Sequence, residues 1–166
     1  MNQKRLKQTG STLAKITRVL FWIQFLEMVL AAFLVCWHEF FPSHFVLHFV
    51  SEELLFQLCA SLVTGCFILG VLARFRKLCG SLSQNGDPFH AANAAILKSI
   101  SITVLAASFV LPAAEKVFVE AFHLSGCNTD AASLSVLIML TAALLFFLSV
   151  LLKSGAERFH DASLYK

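Results

Sequence analysis

The stretch Val19–Trp37 most constrains what this chain can become: nineteen consecutive residues, VLFWIQFLEMVLAAFLVCW, carry a single charge, Glu27, close to their centre. A helix of about 20 apolar residues spans the roughly 30 Å of a bilayer's hydrocarbon. Three further runs approach or exceed that length, namely Leu54–Ala73, Ser99–Ala114 and Ala131–Leu152, with twenty, sixteen and twenty-two uncharged residues. With 58% hydrophobic and 14% charged residues in 166, the chain has more apolar surface than one small soluble core can hide, which puts it in the integral-membrane class. The first run exceeds the roughly 7 to 15 residues of a signal-peptide core. No small-x-small cleavage site follows it, and Val35 fills the position before Cys36 where a lipoprotein box needs a small residue, so this span is expected to be retained.

Boundary residues set the expected ends of each helix. Ser11 is a candidate N-cap for the first, Ser51 with Glu52 and Glu53 for the second, and Asp87 with Pro88 at the first helical position for the third. Gly80 is the expected end of the second helix. The third run is short, and reaches a full span by borrowing length from a snorkelling Lys98 or from Val117–Val119. The reading is a single all-α membrane domain over residues 1–166, with spans at about 19–37, 54–73, 99–119 and 131–152, a loop at 74–98 and a tail at 153–166. Short connections predict an up-down-up-down bundle of four transmembrane helices. Of thirteen Lys and Arg residues, five lie before the first span, four in or at the ends of the 74–98 loop and three in the tail, leaving Lys116 on the other side. By the positive-inside rule, both termini and that loop are expected to be cytoplasmic.

Counting inward from the basic residue bounding each span, Glu27, Thr64, Ser108 and Thr141 fall at depths of roughly 14, 15, 15 and 18 Å, the middle of the slab. Gln24 stands three residues before Glu27 and shares a helical face with it and with Ala31, so that face is expected to point inward. Pro112 cannot donate to the Ser108 carbonyl, which frees an acceptor at the same depth. Ser61 with Gly65, and Cys66 with Gly70, suit close helix approach. The expectation is a polar layer of Gln24, Glu27, Thr64, Ser108 and Thr141 across the bundle. It has three readings: structural glue between helices, a proton-coupled transport or ligand site, or recognition of a partner helix.

Other chemistry is poorly represented. The five cysteines, at 36, 59, 66, 79 and 127, form no CxxC pair, and the only pairing considered is Cys36 with Cys127. His38, His44 and His48 have a spacing compatible with Zn or Cu, but Trp37, Phe40, Phe41, Phe45 and Phe49 interleave with them as in an interfacial aromatic belt, and no metal site is expected. There is no phosphate-binding glycine loop, no HExxH and no supported nucleophile triad. The chain therefore reads as neither an enzyme nor a direct nucleic-acid binder. No cofactor is expected, and the lipid bilayer is its environment.

The 74–98 loop reads Gly86-Asp87-Pro88-Phe89-His90-Ala91-Ala92-Asn93, and the tail contains Gly155-Ala156-Glu157 and then Asp161 and Leu164. These segments resemble the G-x-P-F-x-x-x-N signature and closing G-A-E-L of the YoaS-like bacterial membrane proteins, a family of unknown function. His90 stands where that family has Ser or Thr, and the compact acidic ending is absent. The resemblance implies a multi-pass protein of the bacterial cytoplasmic membrane, with a small helix-turn-helix regulator as possible cytosolic partner and with Gly86, Pro88, Phe89 and Asn93 as motif positions. The motif also has a purely structural reading: Gly turns the chain, Pro starts a helix and Phe89 anchors it. Two functions follow as expectations. The first is a non-enzymatic regulatory or interaction protein, and the alternative is a small proton-coupled transporter using Glu27.

Overall fold

The computed structural model describes residues 3–40, 52–85, 87, 89–121 and 131–164. They form four helices, α1 (Gln3–Phe40), α2 (Glu52–Asn85), α3 (Ala91–Ala121) and α4 (Ala131–Leu164). All four are long and apolar enough to cross a membrane. At 38, 34, 31 and 34 residues, they exceed the 20 or so that hydrocarbon requires.

The excess length corrects several expected boundaries. α1 starts at Gln3 rather than at Ser11, and α2 passes through Gly80 to Asn85. The cause is tertiary, because the two extensions stabilise one another. The Cβ position of Gly10 lies 2.9 Å from the Ser83 nitrogen and 3.1 Å from the Cys79 carbonyl oxygen, so the backbones nearly touch there. Two turns further along α1, Thr17 shares a side-chain hydrogen bond with Cys79. Glycine inside a helix costs only about 1 kcal/mol, and that contact offsets it at Gly80. Similarly, α3 begins at Ala91, after Asp87, and α4 carries the tail in helical form to Leu164. The third helix runs unbroken past Pro112 and Glu115 to Ala121, which supplies the length its uncharged run lacks.

The helices contact one another in chain order: α1 packs on α2, α2 on α3 and α3 on α4, and among the described residues α1 does not touch α4. Among the described residues the arrangement is an open series of helices. Its interfaces are made from small residues. Ala31, Ala94, Ala107, Ala142, Ser101, Ser108 and Ser149 are buried, whereas Trp22, Phe25, Leu26, Phe33, Leu144 and Phe147 are exposed. This is the pattern expected where lipid solvates large side chains as well as protein does, and close backbone approach is what holds helices together. Buried positions recur every seven residues: Gly10, Thr17, Gln24 and Ala31 on α1, Ala94, Ser101 and Ser108 on α3, and Ala142 and Ser149 on α4, with Gln24 half-buried. Hydrogen bonds also join the other two pairs of neighbouring helices. The Ser101 hydroxyl donates to the Ala142 carbonyl at 2.9 Å, and Arg74 Nε donates to the Ser99 hydroxyl at 2.8 Å.

Candidate functional site

The five residues expected to form one polar layer are not brought together. Gln24 is half-buried, its Nε2 within 3.4 Å of the Cβ position of Gly65 on α2. Glu27 is exposed on the outer surface of α1 and accepts a hydrogen bond from Gln24 Nε2 at 3.1 Å. Ser108 is buried and donates to the Leu105 carbonyl of its own helix at 2.7 Å. Thr141 is exposed and donates to the Leu137 carbonyl at 2.9 Å. Thr64 borders the same small cavity between α2 and α3 as Glu115.

The rotation of α1 explains the outcome for Glu27. The helix meets α2 along positions four apart, Gly10 with Ala14, Thr17 with Phe21 and Gln24 with Met28, all buried or half-buried. Met28 covers Gly65, whose Cβ position lies 2.7 Å from the Met28 Cγ and Sδ. At about 100° per residue, a face centred between Gln24 and Met28 leaves Glu27 about 80° to one side. The i,i+3 pair does share a face, as the sequence implied, but that face is turned only half-way toward α2.

The acid that does lie between helices is Glu115. Its Oε2 is buried and has no hydrogen-bond partner among the described residues. It borders a cavity of ≈ 10 Å³ between α2 and α3, lined also by Ala60, Thr64, Leu111 and Phe118. That volume is about the size of one water molecule. Sequence reasoning placed Glu115 at a span boundary because it interrupts the uncharged run. The signal that identifies it is the seven-residue spacing from Ala94 through Ser101 and Ser108.

At the other end of α3 the loop motif forms a compact clasp. Asp87 Oδ1 accepts from the Phe89 nitrogen at 2.9 Å, an Asx turn. His90, and not Asp87, caps α3: its Nδ1 accepts from the Ala92 nitrogen at 3.3 Å and its carbonyl from the Asn93 nitrogen at 2.9 Å. Asn93 is 1% exposed and donates from Nδ2 to the Asp87 carbonyl at 3.1 Å, locking the turn to the first helical turn. The Phe89 ring lies over Gly155 of α4, with ring carbons 2.7 and 2.9 Å from where a Cβ would stand. The two segments singled out from sequence, Gly86–Asn93 and Gly155–Glu157, therefore meet through Phe89 and Gly155. Gly86 and Pro88 lie outside the described residues, as do His44, His48 and Cys127, so the histidine cluster and the Cys36–Cys127 pairing fall there too. Cys36 itself is exposed and forms no disulfide among the described residues.

A scan against protein-family models, a search of curated proteins and a search of solved structures each returned no match.

Proposed function

We propose that this chain is a small integral membrane protein that acts by interaction and not by catalysis, with the Gln24–Glu27 face of α1 as its intramembrane contact. The observation that carries this reading is the exposure of Glu27 on a helix face otherwise made of Leu20, Ile23 and Leu30. Near the middle of a span, a carboxyl group costs about 2.5–3.5 kcal/mol. One hydrogen bond from Gln24, on the same helix, offsets part of that, and a polar group on a neighbouring helix supplies the rest. In this reading the spans run up-down-up-down. Contacts such as Gly10 with Ser83 and Met28 with Gly65, or Lys98 with Phe146 and Ser101 with Ala142, support it because numbers rise on one helix as they fall on the next. The charge bias supports cytoplasmic termini and a cytoplasmic 74–98 loop in a bacterial inner membrane. That basic face then holds any cytosolic partner, by family resemblance a small helix-turn-helix regulator.

The test is cross-linking in membranes, with a photoreactive residue at Leu30, followed by the variant Glu27→Leu. The expected result is a discrete cross-linked complex that Glu27→Leu abolishes and Thr141→Val leaves intact. An undiminished complex in Glu27→Leu overturns the proposal. The alternative, a small proton-coupled transporter using Glu27, predicts instead proton-driven uptake into proteoliposomes that disappears in Glu27→Gln.

A further inference from the structure

Arg74 is where the long apolar run of α2 ends, and it is neither free in solvent nor paired with an acid. Its side chain is half-buried between α2 and α3, with Nε donating to the Ser99 hydroxyl at 2.8 Å and one Nη to the Gly70 carbonyl at 2.9 Å. Both acceptors are neutral. Among the described residues no Asp or Glu forms a salt bridge with Arg74 or with Lys77, one turn further along the same helix. These two cations border one open cleft of ≈ 500 Å³, whose other walls are Ala73, Ala95, Ile96 and Ser99.

Three physical features define what fits there. A partly desolvated guanidinium with only neutral acceptors keeps its full positive charge in a low-dielectric setting, which favours an anion at its remaining donors. Bringing Lys77 to the same cleft adds repulsion that an anion between the two relieves. The two hydrogen bonds also fix the guanidinium before any ligand arrives, so little side-chain entropy is lost on binding. The walls combine the small residues Ala73, Ala95 and Ser99 with the apolar Ile96, at the level where hydrocarbon gives way to the basic loop. A free inorganic anion has no use for such an apolar wall, whereas a lipid does.

We infer that Arg74, Lys77 and Ser99 form a binding site for the phosphodiester headgroup of an anionic phospholipid, held between α2 and α3 with its glycerol end against Ala73 and Ile96. Arg74 and Lys77 contact the phosphate, and Ser99 positions Arg74. The site is independent of the Glu27 face, so either proposal stands if the other fails.

The test is native mass spectrometry of the full-length protein in detergent, offered phosphatidylglycerol, phosphatidylcholine or inorganic phosphate. The fraction of protein carrying an adduct is the readout. The expected result is retention of phosphatidylglycerol over phosphatidylcholine, reduced about tenfold or more in Arg74→Gln, since a charge-assisted contact is lost. Ala95→Trp fills the cleft from an exposed position and leaves the arginine in the chain, and gives the same loss should Arg74→Gln fail to fold. Lys153→Gln, on the exposed part of α4, leaves retention unchanged. Equal retention of the two lipids, undiminished phosphatidylglycerol in Ala95→Trp, or an equal drop in Lys153→Gln overturns the site. Phosphate binding that depends on Arg74, without lipid retention, overturns the lipid as its ligand.

Discussion

His90 shows how a single side chain can serve a role that its residue type does not advertise. An N-cap needs an acceptor within reach of the first free amides of the helix, which Ser, Thr, Asn and Asp usually provide. Here Nδ1 of an imidazole provides it, leaving Asp87 to form the preceding Asx turn. Replacing a cap by alanine typically costs about 1 kcal/mol, so His90→Ala should lower the midpoint of SDS or thermal unfolding. His90→Asp should restore it, because a carboxylate both caps and faces the positive end of the helix. An unchanged midpoint in His90→Ala would show that the imidazole contributes nothing. The two acids, Glu27 and Glu115, are a matched lesson at the same scale. Each interrupts an apolar run, so depth along the helix is legible for both. Their azimuth is not, and it is azimuth that puts one outside and the other at the cavity that Thr64 also borders.

At the scale of the element, α1 and α2 are held by two glycines whose surroundings differ. A methyl group on Gly10 meets backbone atoms of Ser83 and Cys79, which cannot move without separating the helices. A methyl group on Gly65 meets Cγ and Sδ of Met28, side-chain atoms that can turn aside without moving either backbone. In a helix interior, Gly→Ala alone stabilises by about 1 kcal/mol. Gly65→Ala should therefore be tolerated better than Gly10→Ala, which should destabilise despite the same propensity gain. The check is to compare their unfolding midpoints in one detergent, and the reverse order would contradict the packing. The helix ends lie beyond the local signals in the sequence for a related reason. Ser11 and Gly80 carry correct local stop signals, but the contact between the N-terminal part of α1 and the C-terminal part of α2 outweighs a signal worth about 1 kcal/mol.

At the scale of the whole molecule, the open order of helices leaves α1 and α4 each with a single neighbour, and both expose large apolar side chains along most of their length. A soluble protein built this way would aggregate, whereas in a bilayer those faces are solvated. Orientation rests on the Lys and Arg bias, and it has a direct check. In a cysteine-free background, Gln84→Cys places a thiol at an exposed site near the end of α2, in the basic loop region. A membrane-impermeant maleimide should label it only after the cells are permeabilised. Labelling of intact cells would reverse the assigned sidedness.

Length and charge along the chain determined that there are four apolar helices and where each begins to be polar, because transfer of a charged group into hydrocarbon costs several kcal/mol wherever it sits on the helix circumference. The meeting of the Gly86–Asn93 and Gly155–Glu157 segments, the rotation of each helix and the order of contacts were decided by tertiary structure alone. In water an apolar stripe tells a helix which way to face. In lipid both the neighbour and the solvent are apolar, so the hydrophobic pattern falls silent, and the close fit of Gly10, Gln24, Ser101 and Ala142 against the next backbone sets the azimuth.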